Sequence, residues 1–129
     1  MSESTKPRMG TVSWMDLTVP DATRVADFYR RVAGWEVKPI SMGEYEDYAM
    51  VPPGAERAAG GICHARGENA GLPPVWLAYV TVADLDASLT AAREGGGEVV
   101  SGPRSLGSYG RMAVIRDPAG ASLALIEQP

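Results

Sequence analysis

Cysteine and histidine are almost missing from this chain: 129 residues hold one of each, Cys63 and His64, and a single phenylalanine, Phe28. One cysteine rules out an intrachain disulfide and points to a reducing cytoplasm. One histidine rules out a two-histidine, one-carboxylate metal site made by one chain. Basic excess is lacking too. Twelve Lys and Arg stand against sixteen Asp and Glu, a net charge of −4. That argues against a nucleic-acid partner, which needs a basic stripe, and against an anionic membrane surface. Apolar runs stop far short of the ~20 residues a spanning helix needs. The opening Met1-Ser-Glu-Ser-Thr-Lys-Pro-Arg has no apolar core, so no secretory signal is expected.

Turn formers are plentiful: 15 Gly and 10 Pro favour many short elements over a helical bundle. Residues 1–10 read as a mobile arm. From Ser13 to Val19, Met15, Leu17 and Val19 alternate with Trp14, Asp16 and Thr18, the period of a strand. Asp21 is an N-cap for a helix carrying Ala22, Val25, Ala26, Tyr29, Val32 and Ala33, stopped by Gly34. Strands are predicted over Trp35–Met42, Tyr45–Val51 and Gly60–Ala65. The order then repeats: a strand at Val75–Val82, a helix capped by Asp84 and ended at Gly95–Gly97, then strands at Val99–Ser101, Arg111–Arg116 and Ser122–Glu127. Val19 and Val82, Asp21 and Asp84, Arg30 and Arg93, and Gly34 and Gly97 are each 63 positions apart. A constant offset indicates a duplicated strand–helix–three-strand unit. One helix can cover only one face of each small sheet, so the other face is where function is expected.

Leu17-Thr-Val-Pro-Asp21, Phe28-Tyr29, Gly34-Trp35, Val82-Ala-Asp-Leu-Asp86 and Asp117-Pro-Ala-Gly120, in this order, resemble the vicinal oxygen chelate superfamily of glyoxalases, bleomycin-resistance proteins and extradiol dioxygenases. The resemblance implies an α+β fold of two βαβββ modules, residues 11–66 and 75–127 of one domain spanning 11–127, forming a curved mixed sheet around a cavity. It also implies a homodimer. Members that do chemistry hold a divalent metal with a His or Gln on the first strand and a Glu on the last strand of each module. Carried over, those positions are Trp14 and Leu77 on the first strands, Ala124 on the eighth, and either Gly61 or Cys63 on the fourth. Trp, Leu and Ala cannot coordinate a cation. The expectation is therefore no metal and no cofactor.

The remaining lining follows from hairpin geometry. A two-residue loop at Pro118-Ala119 sets Ile115 opposite Ser122, Ala113 opposite Ala124 and Arg111 opposite Ile126. With Ala124 on the cavity side, Arg111 faces the cavity, and the offset adds Tyr48 and Met50. The expected ligand-binding set is Trp14, Asp16, Tyr48, Met50, Leu77, Tyr79 and Arg111, aromatics with a few polar groups, as suits a small-molecule pocket or a dimer interface. Trp14 can equally be space-filling. Asp16 is the sharpest candidate: it binds a cationic ligand, serves as a general base, or pairs with Arg111. Cys63 and His64 are adjacent, so they point to opposite faces and form no nucleophile–base pair. His64 reads as a solvated residue and Glu44–Asp47 as a solvated hairpin tip. Three functions remain: metal-free binding of an amphipathic small molecule; a lyase, isomerase or dioxygenase, with metal ligands elsewhere or with Asp16 as base and Arg111 holding an oxyanion; or a structural module whose bare sheet makes only a dimer.

Overall fold

A computed structural model describes residues 7–129. Among the described residues are eight strands and two α-helices: β1 (Val12–Val19), α1 (Ala22–Ala33), β2 (Glu36–Ser41), β3 (Glu46–Val51), β4 (Gly60–His64), β5 (Trp76–Thr81), α2 (Leu85–Glu94), β6 (Glu98–Ser105), β7 (Arg111–Arg116) and β8 (Ser122–Glu127). This is the α+β, twice-repeated order that the 63-residue offset predicts. The chain folds as two compact units whose boundary falls inside β1: Trp14–Trp76, here module 1, and residues up to Ser13 together with Leu77–Pro129, here module 2. Of the arm expected over residues 1–10, the first six lie outside the described residues. Gly10 donates its N–H to the Thr81 carbonyl at 2.8 Å, so ordered backbone starts before residue 11.

Module 1 is a mixed sheet in the order β2-β3-β4-β1, with β1 parallel to β4 and the hairpins antiparallel. Helix α1 starts where Asp21 accepts the Arg24 N–H, satisfying one of the helix's orphan donors, and ends at Gly34 in the left-handed region at φ 76°. It buries Ala22 and Ala26 against Leu17, Tyr48, Met50 and Ile62. Module 2 repeats this with β5 parallel to β8 and the order β5-β8-β7-β6. Its helix α2, capped by Asp84, buries Leu85 and Leu89 on Ala113 and Leu125.

The repeat extends to the register. Asp16 pairs with Gly61 as Tyr79 pairs with Ala124, both members being 63 positions on. Strand β6 runs to Ser105, well beyond the predicted Ser101, because register shifts between Val99 and Ser101 and between Ser101 and Arg104 let it bend and continue alongside β7.

Candidate functional site

In each module the strand residues sort into a face under the helix and a face without one. Directly paired residues share a face, and the face alternates along a strand. In module 1 the helix-free face carries Trp14, Asp16 and Thr18 of β1, Gly61 and Cys63 of β4, and Ala49 of β3. The parallel register settles which β4 residue stands at the family's last-strand position: it is Gly61, directly beside Asp16.

Trp14 and Asp16 are half-buried, and the Trp14 indole N–H donates to the Asp16 carboxylate at 2.6 Å. Both lie over Gly61. A Cβ built there would stand 2.5 Å from Asp16 Oδ1 and 3.5 Å from Trp14 Cζ2. The missing side chain at 61 is what makes room for the indole–carboxylate pair. The result is an aromatic plate with an acid at its edge, suited to a flat molecule that carries positive charge or hydrogen-bond donors.

In module 2 the corresponding face carries Leu77, Tyr79 and Thr81 on β5, Ala124 and Ile126 on β8, Met112 and Val114 on β7, and Ser101 and Arg104 on β6. Leu77, Tyr79, Thr81, Met112, Val114, Ala124 and Ile126 are all buried. Among the described residues, the Thr81 hydroxyl is a buried side-chain group without a hydrogen-bond partner.

Three expected lining residues belong to the other face. The β7–β8 register is Arg116 with Ser122, Val114 with Ala124, Met112 with Ile126 and Arg111 with Glu127, one step away from the expected pairing. The loop holds one residue more than two: Pro118, Ala119 and Gly120, the last at φ 91°, are spanned by Asp117 N–H donating to the Ala121 carbonyl. Because side chains alternate, one step of register reverses the face of every β7 residue. Arg111 therefore projects on the α2 side, 3.1 Å from Asp86 and 3.5 Å from Glu127. The Asp86 hydrogen bond, and then its charge, hold the Arg111 pKa above the ordinary arginine value. Arg111 is engaged by Asp86 and Glu127 within its own module.

Tyr48 and Met50 inherit the same reversal. Both sit in the core under α1, Met50 fully buried, and the Tyr48 hydroxyl is 2.6 Å from Thr23 Oγ1 on the helix. Tyr48→Phe is accordingly expected to cost about 1 kcal/mol, the worth of one neutral hydrogen bond, and to leave ligand binding unchanged. Urea unfolding beside a binding titration checks both. Sequence reasoning missed Arg104, which shares a row with Met112, Ile126 and Thr81 and donates from Nε to Met112 Sδ at 3.3 Å. Its signal is hidden because regular alternation in β6 is legible only as far as Ser101.

The hairpin tip is not fully solvated. Asp47 is buried and accepts the His64 backbone N–H at 2.8 Å. The His64 ring, half-buried rather than solvated, stands 3.4 Å from Asp47 Oδ1 and packs against Tyr45 and Tyr48. Arg66 lies over the Tyr45 ring, 4.0 Å from its centroid.

Trp14 and Gly61 in module 1, and Leu77 and Ala124 in module 2, offer no donor atom suited to a divalent cation. Among the described residues, no three of His, Cys, Asp and Glu are gathered as a metal would require. These residues do not fit a metal centre of the family's kind.

A sequence profile of the glyoxalase/bleomycin resistance protein/dioxygenase superfamily matches residues 11–125. The chain belongs to this superfamily. Within it, CFP32 of Mycobacterium tuberculosis, whose name assigns it provisionally as a glyoxylase, is 33% identical over 97% of this chain and 48% of its own length. The anthracycline biosynthesis protein DnrV of Streptomyces peucetius is 31% identical over 90% of this chain and 46% of its own length. The chain thus spans about half the length of the curated relatives it matches. Among solved structures, methylmalonyl-CoA epimerase of Mycobacterium tuberculosis superposes with a TM-score of 0.55 at 18% identity, covering 99% of this chain and 93% of the epimerase. A variant of the Streptomyces coelicolor epimerase bound to 2-nitronate-propionyl-CoA gives 0.55 at 17% identity, over 94% and 99%. At such identities the likeness is one of fold. This superfamily member keeps the fold, and at the positions that the resemblance assigns to metal ligands it carries Trp, Gly, Leu and Ala.

Proposed function

We propose that this chain is a metal-free small-molecule-binding protein that sequesters or carries a flat amphipathic compound, with Trp14 and Asp16 as its principal contacts. The observation that carries the reading is the indole–carboxylate pair lying over Gly61, where a metal-binding member would present a carboxylate of its own. Trp14 supplies a stacking surface and Asp16 a charge that favours a cation. A relative named for anthracycline biosynthesis supports the ligand class, since anthracyclines are planar, aromatic and cationic when they bear an amino sugar. The lone thiol, Cys63, suits a reducing cytoplasm. No helix among the described residues is long and apolar enough to cross a membrane.

The enzyme reading has less support. Its oxyanion-holding residue, Arg111, lies on the α2-covered side of its module and is engaged by two carboxylates.

Two probes test the proposal: a neutral anthracycline aglycone and the same ring system bearing an amino sugar. Both are expected to quench tryptophan fluorescence in the wild type, and Trp14→Ala to abolish the response. Asp16→Asn is expected to weaken the amino-sugar compound by about tenfold, the worth of a charge-assisted contact, while the aglycone is unaffected. Equal losses for both compounds would remove Asp16 as the cation contact. Stoichiometric zinc, nickel, manganese or iron in purified protein would overturn the metal-free reading.

A further inference from the structure

The one histidine of the sequence takes no part in the arrangement over Gly61. His64 ends β4, paired with Val19 at the end of the parallel strand β1. It lies three residues past Gly61, about 10 Å along the sheet, and alternation puts it on the α1 side.

A single carboxylate fixes this residue twice. The β3–β4 ladder runs as far as Tyr48 and Ile62; past that pair, the His64 backbone N–H donates at 2.8 Å to the buried Asp47 side chain. The same Asp47 oxygen stands 3.4 Å from Nδ1 of the ring. A carboxylate facing Nδ1 keeps the imidazole proton on that nitrogen and leaves the lone pair on Nε2. Two further rings restrain the imidazole, Tyr45 edge-on at a centroid distance of 5.6 Å and Tyr48 at 6.2 Å. Tyr48 is itself tied to Thr23 on α1. Among the described residues Nε2 has no hydrogen bond, and the buried side-chain group lacking one is the Thr81 hydroxyl, so Nε2 meets solvent. A buried acid, a restrained ring and an accessible basic nitrogen make up an acid–base group.

A cation stands beside it. Arg66 donates its backbone N–H to the His64 carbonyl at 2.9 Å, a tight turn that keeps the two residues together. Its guanidinium lies over Tyr45, the ring that His64 also packs against. The nearest carboxylate, Glu44, is 3.9 Å away with its side chain 92% exposed, a contact worth little in water. The guanidinium is thus open to an anionic ligand.

We propose that His64, Asp47 and Arg66 form a second site on module 1, which hydrolyses small esters bearing an anionic group. Nε2 takes a proton from water as the water oxygen bonds to the ester carbonyl carbon. The adduct then expels the alcohol, and that proton passes from Nε2 to the leaving oxygen. Asp47 stabilises the imidazolium in between, and Arg66 holds the anionic group of the substrate. Ester and water give acid and alcohol, with no other reactant.

Two probes test this: para-nitrophenyl acetate, which is neutral, and its analogue with a carboxylate on the nitrophenyl ring. Wild-type protein is expected to release nitrophenolate from the anionic ester about a hundredfold faster than free imidazole at equal concentration. His64→Gln is expected to abolish the release. Asp47→Asn, which keeps an oxygen for the His64 N–H, should slow both esters by about tenfold. Arg66→Gln, at an exposed position, should slow only the anionic one, again by about tenfold. Because the chain has one histidine, nitrogen-resolved NMR reads its tautomer directly. The proton is expected on Nδ1 in the wild type, with that preference lost in Asp47→Asn. A carboxylate that only braced the hairpin would not move it. Circular dichroism confirms that each variant keeps its fold. A wild type no faster than free imidazole, release that survives His64→Gln, a proton resident on Nε2, or equal losses for both esters in Arg66→Gln overturns the proposal.

Discussion

Replacing Gly110 with alanine is expected to destabilise the protein more than alanine at Gly61, Gly97 or Gly102 would. Gly110 has φ 107° and ψ −142°, a backbone conformation essentially reserved for glycine. A Cβ at this position would run into the backbone of the neighbouring chain end, with the Glu127 carbonyl carbon and the Gln128 Cα each 3.0 Å away and the Glu127 oxygen nearer still. None of these obstacles is a side chain that can turn aside. Strain and overlap together should cost about 3 kcal/mol or more, seen as a fall in melting temperature on the order of 10 °C. Because Arg111 and Glu127 are the next pair along, the same variant should loosen their contact at the base of the β7–β8 hairpin. Thermal and urea unfolding measure the cost. A loss below about 1 kcal/mol would mean that this hairpin base is held in another way.

The second large effect concerns Gly61. Substituting glutamate returns the carboxylate that metal-binding members carry at this position, yet the variant is expected neither to bind a divalent metal nor to keep its stability. The new Cβ meets Asp16 Oδ1 at 2.5 Å, and displacing that carboxylate breaks its hydrogen bond from Trp14. Trp14, which stands at the position the resemblance assigns to the family's first-strand ligand, still offers no donor. A loss of about 2–4 kcal/mol is expected, from overpacking, a broken hydrogen bond and two carboxylates forced together. Gly61→Ala separates the terms: it adds the same Cβ without the charge, and about half the loss should remain. Isothermal titration with zinc and manganese, beside urea unfolding, decides the matter. A stable Gly61→Glu protein that takes up one equivalent of metal would show that this face still accepts an ion.

Helix ends were legible in the sequence because a carboxylate accepting the first N–H groups and a glycine in the left-handed region leave local signatures, at Asp21, Asp84 and Gly34. The 63-residue offset held through both parallel strand pairs, since internal duplication preserves register wherever no residue is inserted. The faces of β3 and β7 were not legible, for one reason. Whether Gly120 lies within the turn or within the strand changes the loop by a single residue, and parity carries that change to Arg111, Tyr48 and Met50 together. Asp117, whose carboxylate accepts from both Ala119 and Ala121, closes the longer loop. The glycine two places after the proline was the available clue. Arg104 was out of reach because a strand interrupted by two register shifts leaves no regular alternation to read.

The division of β1 between the two units bears on how the molecule can be cut. Gly10 and Thr11 hydrogen-bond to the two backbone groups of Thr81, although some 70 residues of chain intervene. A fragment beginning at residue 75 would therefore lack an element that belongs to it, and its β5 would offer an open edge to any passing strand. Adding a synthetic peptide of the first thirteen residues in trans should cover that edge, which would make this protein a candidate for split-fragment complementation.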